Sequence, residues 1–225
     1  MNPKQLAAEA ALPLVKSGMV VGLGTGSTAD FFLIALGDAI AQRRLTGIRG
    51  IPTSVQSDRR ARELGIPLTT LAQCPRCDVT VDGADEIDPN LNLIKGLGGA
   101  LLREKIVAQA SAKLIIIADA SKVVPTLGNK SPLPVEVAPY CYESHAPFLQ
   151  TLGCTPVLRR NVDGNPYVTD NGNYIYDCRF KSIDDPAAIQ KKLKEHAGVV
   201  ESGLFIGLAT MAFVAEAAGV RTMKK

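Results

Sequence analysis

The sequence predicts an α/β protein: a mostly parallel sheet with helices on both faces, joined to a separate, smaller α+β unit. Three observations carry this. From the N-terminus to Ala118, short apolar strand patterns alternate with helical patterns across short connections, the order that builds a parallel sheet covered on both sides. Leu114-Ile115-Ile116-Ile117-Ala118 is rich in β-branched residues and has no polar alternation, as expected of a strand buried on both faces. After Lys122 the texture changes, with Pro125, Pro132, Pro134 and Pro139 punctuating the chain.

Asn2 is placed to cap a first helix with Pro3 in its first turn, and Pro13 should break it. Met19–Leu23 reads as a buried strand, Gly24–Thr28 as a loop, and Ala29–Arg43 as a helix. Ile48–Ile51 reads as a second strand, Ser54–Leu64 as a helix stopped by Gly65, and Ile66–Leu71 as a third strand. Asp78–Val81 is a fourth strand, Leu91–Ile94 a short extended piece and Gly99–Ala112 a helix. Beyond Lys122, Leu133–Val137 and Val157-Leu158 follow, with a helix between them over Ser144–Leu152. Asn171-Gly172, set between alternating residues, predicts a type I′ hairpin. Asp185-Pro186 opens a helix to Ala197, and Val199-Val200 begins another strand. Leu208–Ala218 has helix-forming residues, but its apolar content also suits a strand and turn.

Composition narrows the function. At 225 residues, 46% hydrophobic and 21% charged, the chain has the make-up of an ordinary globular enzyme. A net charge of only +3 argues against nucleic-acid and membrane partners. No apolar run approaches the ~20 residues of a membrane span, and no export signal is recognisable at the start. Five cysteines, an odd number without a framework, fit a reducing cytoplasm.

The loop Gly22-Leu23-Gly24-Thr25-Gly26-Ser27-Thr28 fails the dinucleotide fingerprint, which needs glycine where Ser27 stands, and it fails the Walker pattern. What remains is a set of hydroxyls at a helix N-terminus, suited to an anion such as phosphate; a tight capped turn without ligand is the alternative. Asp82, Asp85, Glu86 and Asp88 follow a strand end within seven residues. An EF-hand spacing fails at Ala84 and Ile87, leaving a solvated acidic loop, a magnesium site or acid/base chemistry open. Lys95 precedes a glycine loop and could stabilise a developing oxyanion, or be a surface lysine beside a turn. Glu104, flanked by Arg103 and Lys105, taken alone reads as a solvated helical residue. Lys122 lies past the 114–118 strand, at a carboxyl end where open α/β sheets bind ligands. Cys74-Pro75-Arg76-Cys77 is half a zinc pattern without a second pair, so free thiols are the simpler reading.

Several stretches occur in one order: Gly24–Ala29, Asp82–Ile87, Lys95-Gly96 through Arg103-Glu104-Lys105, and Ala118–Lys122, then Leu133–Val137, Val168–Asn173 and Gly203-Leu204-Phe205. In this combination the chain resembles the type A ribose-5-phosphate isomerase family over nearly its whole length. The resemblance implies a Rossmann-like catalytic domain of residues 1–127 and 204–225, with an α+β domain of residues 128–203 inserted. It implies interconversion of D-ribose 5-phosphate and D-ribulose 5-phosphate through a cis-enediolate, in the non-oxidative pentose phosphate pathway. No metal or organic cofactor is implied, and the family is commonly homodimeric or homotetrameric. By the same resemblance Glu104 is the base that carries a proton between C2 and C1. Asp82 would move protons at the sugar oxygens, Asp85 would position hydroxyls, and Lys95 with nearby loop N–H groups would stabilise the enediolate oxygen. Thr25, Gly26, Ser27, Thr28, Gly83, Ala84, Gly96, Leu97, Gly98 and Lys122 would line the substrate site, with Lys4 near the phosphate.

Two departures stand out. Leu97 occupies a position where many members have glycine, and the tail after Phe205 lacks the polar Arg/Asp-containing run of the family. The resemblance also turns the 208–218 region into two short strands. From a different class, a sugar-phosphate sensor would need the anion loop but not Glu104 and Asp82 together.

Overall fold

The computed structural model describes residues 2–224. Asn2 accepts a hydrogen bond from the Lys4 N–H (3.0 Å) and caps α1 (Pro3–Ala11), which ends in a 3-10 turn at Leu12–Leu14 around Pro13. β1 (Val20–Leu23) feeds α2 (Ser27–Ala41), and β2 (Arg49–Pro52) feeds α3 (Val55–Glu63), which opens on a reciprocal Ser54–Ser57 capping box. β3 (Val79–Asp82), β4 (Glu86–Ile87), β5 (Leu93–Ile94), α4 (Leu101–Gln109) and β6 (Leu114–Asp119) follow. Then come β7 (Leu133–Val137), α5 (His145–Thr151), β8 (Thr155–Leu158), β9 (Tyr174–Arg179), α6 (Pro186–Glu195) and β10 (Val199–Ser202). β11 (Leu204–Phe205), β12 (Ala209–Glu216) and β13 (Gly219–Lys224) complete the chain.

Contacts divide the chain into two units. The first holds residues up to Ala84, Arg103–Lys122 and Gly207 onward; the second holds Asp85–Leu102 and Val123–Ile206. The first unit contains a six-stranded sheet in the order β13-β12-β6-β3-β1-β2. All its pairings are parallel except β12–β13, which turns back along the edge. Side-chain alternation along the strands supplies both faces. Val21 and Leu23 of β1, Val79 and Val81 of β3, and Ile115 and Ile117 of β6 pack with Ala8 of α1 and with Phe32 and Leu36 of α2. Val20 and Ile51 belong instead to a cluster with Val107 of α4 and the thiols of Cys74 and Cys77. The strand order reverses at β1, whose neighbours are β2 on one side and β3 on the other. Crevices at such switch points, outside the strand carboxyl ends, are where open α/β sheets bind ligands.

The second unit has a four-stranded antiparallel sheet, β10-β7-β9-β8, and a three-stranded antiparallel sheet, β11-β5-β4. Leu133, Val135 and Val137 of β7 form its core with Leu149 of α5, Tyr176 of β9 and Leu193 of α6.

Three sequence expectations need correction. Ile66–Leu71 forms no strand: Leu68 makes one parallel bridge to Gly50, and the chain then turns at Thr70–Gln73. Pro67 has no N–H to offer the ladder and serves only through its C=O, which accepts from the Gly50 N–H (2.7 Å). The Asn171-Gly172 turn is not type I′, which requires left-handed backbone at both central residues; here Gly172 has φ +79° and Asn171 lies outside that region. Gly172 N–H donates to Thr169 C=O and Thr169 N–H to Asn173 C=O (both 2.9 Å). The reason is a buried acceptor: Glu136 Oε1 takes bonds from Thr169 Oγ1 (2.9 Å), Asn171 Nδ2 (3.1 Å) and Asn173 Nδ2 (2.9 Å). The helical leaning of 208–218 also yields, since this region forms most of β12. Met211 to Ala215 pair in parallel with Ile115 to Asp119, so the apolar run completes the sheet. No helix among the described residues is long and apolar enough to cross a membrane.

Glu86 is fully buried in the second unit and clips the 128–131 segment in place. Its Oε2 accepts from the Gly128 N–H (2.6 Å), and its Oε1 from the N–H groups of Lys130 (2.7 Å) and Ser131 (2.5 Å). Glu86→Gln turns one acceptor into a donor facing a buried N–H. We expect it to lower unfolding free energy by about 1–3 kcal/mol in urea titrations; an unchanged midpoint and slope would exclude this anchoring role.

Candidate active site

The glycine loop, the acid strand and Lys122 all emerge from strand carboxyl ends of the first unit. β3 ends on Asp82, which is 1% exposed. Its Oδ1 accepts from the Thr25 N–H at the end of β1 (3.0 Å) and from the Gly83 N–H (2.7 Å). The approach is close enough that a Cβ on Gly24 would lie 2.6 Å from the Asp82 Cα, so this position takes glycine for steric reasons.

The hydroxyls of the loop are committed in different directions. Thr25 Oγ1 lies 2.8 Å from Thr53 Oγ1 and donates to Ser54 Oγ (2.8 Å), both just past β2. Ser27 and Thr28 are the first residues of α2, and Gly26 at its N-cap brings no side chain to cap the helix. The first-turn amides and the positive end of the helix dipole therefore favour an anion here. Lys4 Nζ, from α1, donates to Ser27 Oγ (2.8 Å) and adds a cation to that end. Lys122 follows β6 in a short 3-10 turn. Burial pushes the Asp119 carboxyl upward, but hydrogen bonds from the Ser121 hydroxyl and N–H outweigh it. With help from the charges of Lys122 and Lys4, they hold this carboxyl below the usual range. Both lysines therefore act on one locality.

Glu104, also in the first unit, sits in the first turn of α4 and is only 5% exposed, with Lys105 beside it 2% exposed. The solvated-glutamate reading of this residue taken alone is thus corrected: its side chain is enclosed.

In the second unit, Asp85 Oδ2 accepts from the Leu97 N–H (3.0 Å), and the Asp85 N–H donates to Ile94 C=O (2.8 Å). Lys95 is 3% exposed, so the surface-lysine alternative fails. Its N–H donates to Gly203 C=O (2.9 Å), and its ammonium lies 5.5 Å from the centroid of the Phe205 ring. Gly96 is buried, whereas Leu97 and Gly98 are exposed. Leu97 lies outside the left-handed region, so a side chain there strains nothing. Gly83 and Ala84 are half-buried on the run between β3 and β4.

Glu86 and Asp88 are buried rather than solvated. Asp88 takes the N–H groups of Asn90 and Asn92 (both 2.8 Å) and the Asn92 amide (2.9 Å), closing the β4–β5 turn. Among the described residues no cluster of three or more His, Cys, Asp or Glu side chains is placed to hold a metal. All five cysteines are free thiols.

Three residues were not foreseen from the sequence. Thr53 and Ser54 hold the Thr25 hydroxyl, although only the helix-start signal of Ser54 is readable in the chain. Arg159 donates to the carbonyls of Gly96 (3.2 Å) and Leu97 (3.0 Å) across more than sixty residues of sequence; no local pattern announces it. A cavity of about 670 Å³ beside β2, lined by Ile51, Pro52, Ile66, Leu68, Thr69 and Leu71 among others, contains none of the expected site residues.

Comparison with known proteins identifies the family of the chain. Residues 49–219 match the family described as Ribose 5-phosphate isomerase A (phosphoriboisomerase A). The chain is 52% identical over 223 residues to the ribose-5-phosphate isomerase A of Synechococcus sp. (strain JA-3-3Ab), covering 99% of this chain and 96% of the relative. An Arabidopsis thaliana protein named probable ribose-5-phosphate isomerase 3, chloroplastic, is 49% identical over 228 residues, 99% of this chain and 83% of that protein. A solved D-ribose-5-phosphate isomerase in complex with phospho-erythronic acid superposes with a TM-score of 0.98 at 40% identity, covering 100% of both chains.

The Asp119 cluster has a pH signature. A carboxyl held low in the folded state contributes stability that is complete above its unfolded value and lost as pH falls through the folded one. Asp119→Asn should therefore flatten the decline of unfolding free energy between roughly pH 5 and pH 2, measured by urea titration at each pH. Superimposable wild-type and variant profiles would refute the coupling.

Proposed function

We infer the activity from one premise: the chain belongs to the ribose 5-phosphate isomerase A family. It is an aldose–ketose isomerase that interconverts D-ribose 5-phosphate and D-ribulose 5-phosphate. The observation that carries this is the fit, over the whole of both chains, to an isomerase that binds phospho-erythronic acid. That ligand joins a phosphate to a carboxylate, and a carboxylate presents two oxygens in one plane, much as an enediolate does at C1 and C2.

The hydroxyl loop takes the phosphate end. The α2 amides, Ser27, Thr28, Lys4 and Lys122 supply donors and positive charge, while Thr25, tied to Thr53 and Ser54, keeps the loop in shape. Fixing the phosphate places the far end of the opened sugar for reaction, which removes much of the entropic barrier. Asp82 handles protons at the sugar oxygens, including ring opening. Its Oδ1 accepts two backbone amides, which hold the carboxylate at the strand end. Glu104 takes the proton from C2 of the aldose, the C–H electron pair forms the C1–C2 double bond, and the carbonyl π pair moves onto O1. A proton passes from O2 to O1, and Glu104 then returns its proton to C1 as the O2 electrons form the C2 carbonyl of the ketose. Lys95 and the amides of the 96–98 loop stabilise the negative oxygen formed between these steps, and Asp85 orients hydroxyls. Gly26, Gly83 and Ala84 complete the lining.

Magnitudes support this division. A positioned base contributes roughly 10²–10⁴-fold, about 3–5 kcal/mol, whereas enzymes commonly reach ~10⁶-fold or more. Stabilisation of the enediolate must supply much of the remainder, and a buried lysine with loop amides is suited to that. We place the enzyme in the cytoplasm, on five thiols that form no disulfide. We expect the homodimer or homotetramer common in the family, with neither nucleic acid nor membrane as partner and no cofactor.

The deciding experiment is formation of ribulose 5-phosphate from ribose 5-phosphate by the purified chain. Glu104→Gln should lose roughly 10²–10⁴-fold in kcat while inorganic phosphate still competes for the site. A folded variant that retains wild-type turnover would remove Glu104 from the role of base.

A further inference from the structure

We propose that Arg159, held by Asp177, is a positioning residue that fixes the direction of the amides in the 96–98 loop. The inference rests on the isomerase reading, in which those amides stabilise the enediolate oxygen.

Arg159 directly follows β8 and is anchored through its backbone. Its N–H donates to Ile175 C=O (2.8 Å), and its C=O accepts from the Tyr167 N–H (2.9 Å). The guanidinium meets Asp177 of β9 as a two-pronged fork, Nε to Oδ2 at 2.9 Å and Nη2 to Oδ1 at 2.5 Å. Side-chain exposures of 14% and 24% shield the pair from most of the solvent, and fork geometry of this kind fixes the guanidinium plane. The remaining prong, Nη1, donates to two consecutive carbonyls, Gly96 O (3.2 Å) and Leu97 O (3.0 Å).

Peptide planarity turns this into a directional constraint. Among the described residues every peptide bond is trans, so within each peptide unit the N–H points opposite to the C=O. The Leu97 N–H shares a plane with the Gly96 carbonyl, and it donates to Asp85 Oδ2 (3.0 Å). The Gly98 N–H shares a plane with the Leu97 carbonyl and is therefore turned away from Arg159. The first of these planes is also held by the Gly99 N–H on Gly96 C=O (2.9 Å) and by Asp85 on the Leu97 N–H, so the plane that depends most on Arg159 is the second, between Leu97 and Gly98, where a glycine leaves the backbone free to rotate. Tyr167 closes the other side: its hydroxyl end lies where a Cβ on Gly99 would fall, and the Arg159 guanidinium carbon is 5.7 Å from its ring centroid. An ion pair serving only the β8–β9 sheet would need Nε and Nη2 alone. Nη1 has no part in that pairing and is committed to the loop.

The test compares Arg159→Lys and Asp177→Asn with the wild-type chain. A lysine keeps the charge but cannot form the fork and hold both carbonyls, and Asp177→Asn loosens the fork with Arg159 still present. For Arg159→Lys we expect kcat to fall about 10²-fold with KM within about threefold, as for misplaced but surviving catalytic groups. Asp177→Asn should show a smaller loss in the same direction. Hydrogen exchange at the Leu97 and Gly98 amides should accelerate in both ligand-free variants, a readout that needs no turnover. Wild-type kcat in folded Arg159→Lys overturns the proposal, and so does slowed turnover with unchanged exchange at these two amides. If Arg159→Lys does not fold, Asp177→Asn decides by the same two measurements. A wild-type chain that forms no ribulose 5-phosphate sinks the isomerase reading instead, and amide exchange then decides whether Arg159 orders the loop.

Discussion

The first unit is organised by one carboxylate oxygen. Asp82 Oδ1 holds the amide that opens the glycine loop, Thr25, together with the amide of its own neighbour, Gly83. A carboxylate 1% exposed would be costly without such bonds; with them it becomes the link between two strand ends at the point where the sheet order reverses. The consequences propagate outward. Gly24 must lack a side chain to let the backbones approach, Thr25 then delivers its hydroxyl to the end of β2, and α2 begins at Ser27 within reach of Lys4. The helix end proposed to take the phosphate is thus shaped by the same residue that is proposed to move protons.

What could be read in the chain followed from what is local. Strand and helix periods placed β1, β3 and β6 within a residue or two, because burial on a parallel sheet imposes apolar runs that end abruptly. The loop after β1, the acids after β3 and Lys122 after β6 were therefore legible as strand-end features. Burial was not. Glu104 carries no sign in its helix that it is enclosed, since enclosure depends on what covers the helix; only the family resemblance raised it above its neighbours. The Ile66–Leu71 run had the composition of a strand but made a single bridge, because pairing depends on a partner edge that local sequence does not describe. Thr53 was invisible for a similar reason: its partner lies 28 residues away.

The acidic cluster shows how hydrogen-bond accounting ranks residues that composition cannot. Glu86 uses both oxygens to accept three backbone amides, and Asp88 uses both to close its own turn. A carboxylate so occupied is a structural clip, since protonating it would set a donor against a donor. Asp82 and Asp85 each carry backbone amides on one named oxygen, Oδ1 and Oδ2 respectively. Glu86 and Asp88 are thus marked as structural by the N–H groups around them, which their spacing in the sequence does not reveal.

The same accounting explains why the glycine loop accepts Leu97. A glycine is required where backbone must turn left-handed or where another atom occupies the space of a Cβ. Leu97 meets neither condition: its φ is ordinary and its side chain is 40% exposed. Its useful groups are both on the main chain, an N–H directed to Asp85 and a C=O directed to Arg159. Gly99 is the contrasting case, with φ +82° and the Tyr167 hydroxyl against it. In the 96–99 run the main chain of Leu97 thus carries contacts to Asp85 and Arg159 while its side chain is exposed. Glycine content marks steric need position by position, and ligand approach is only one source of that need.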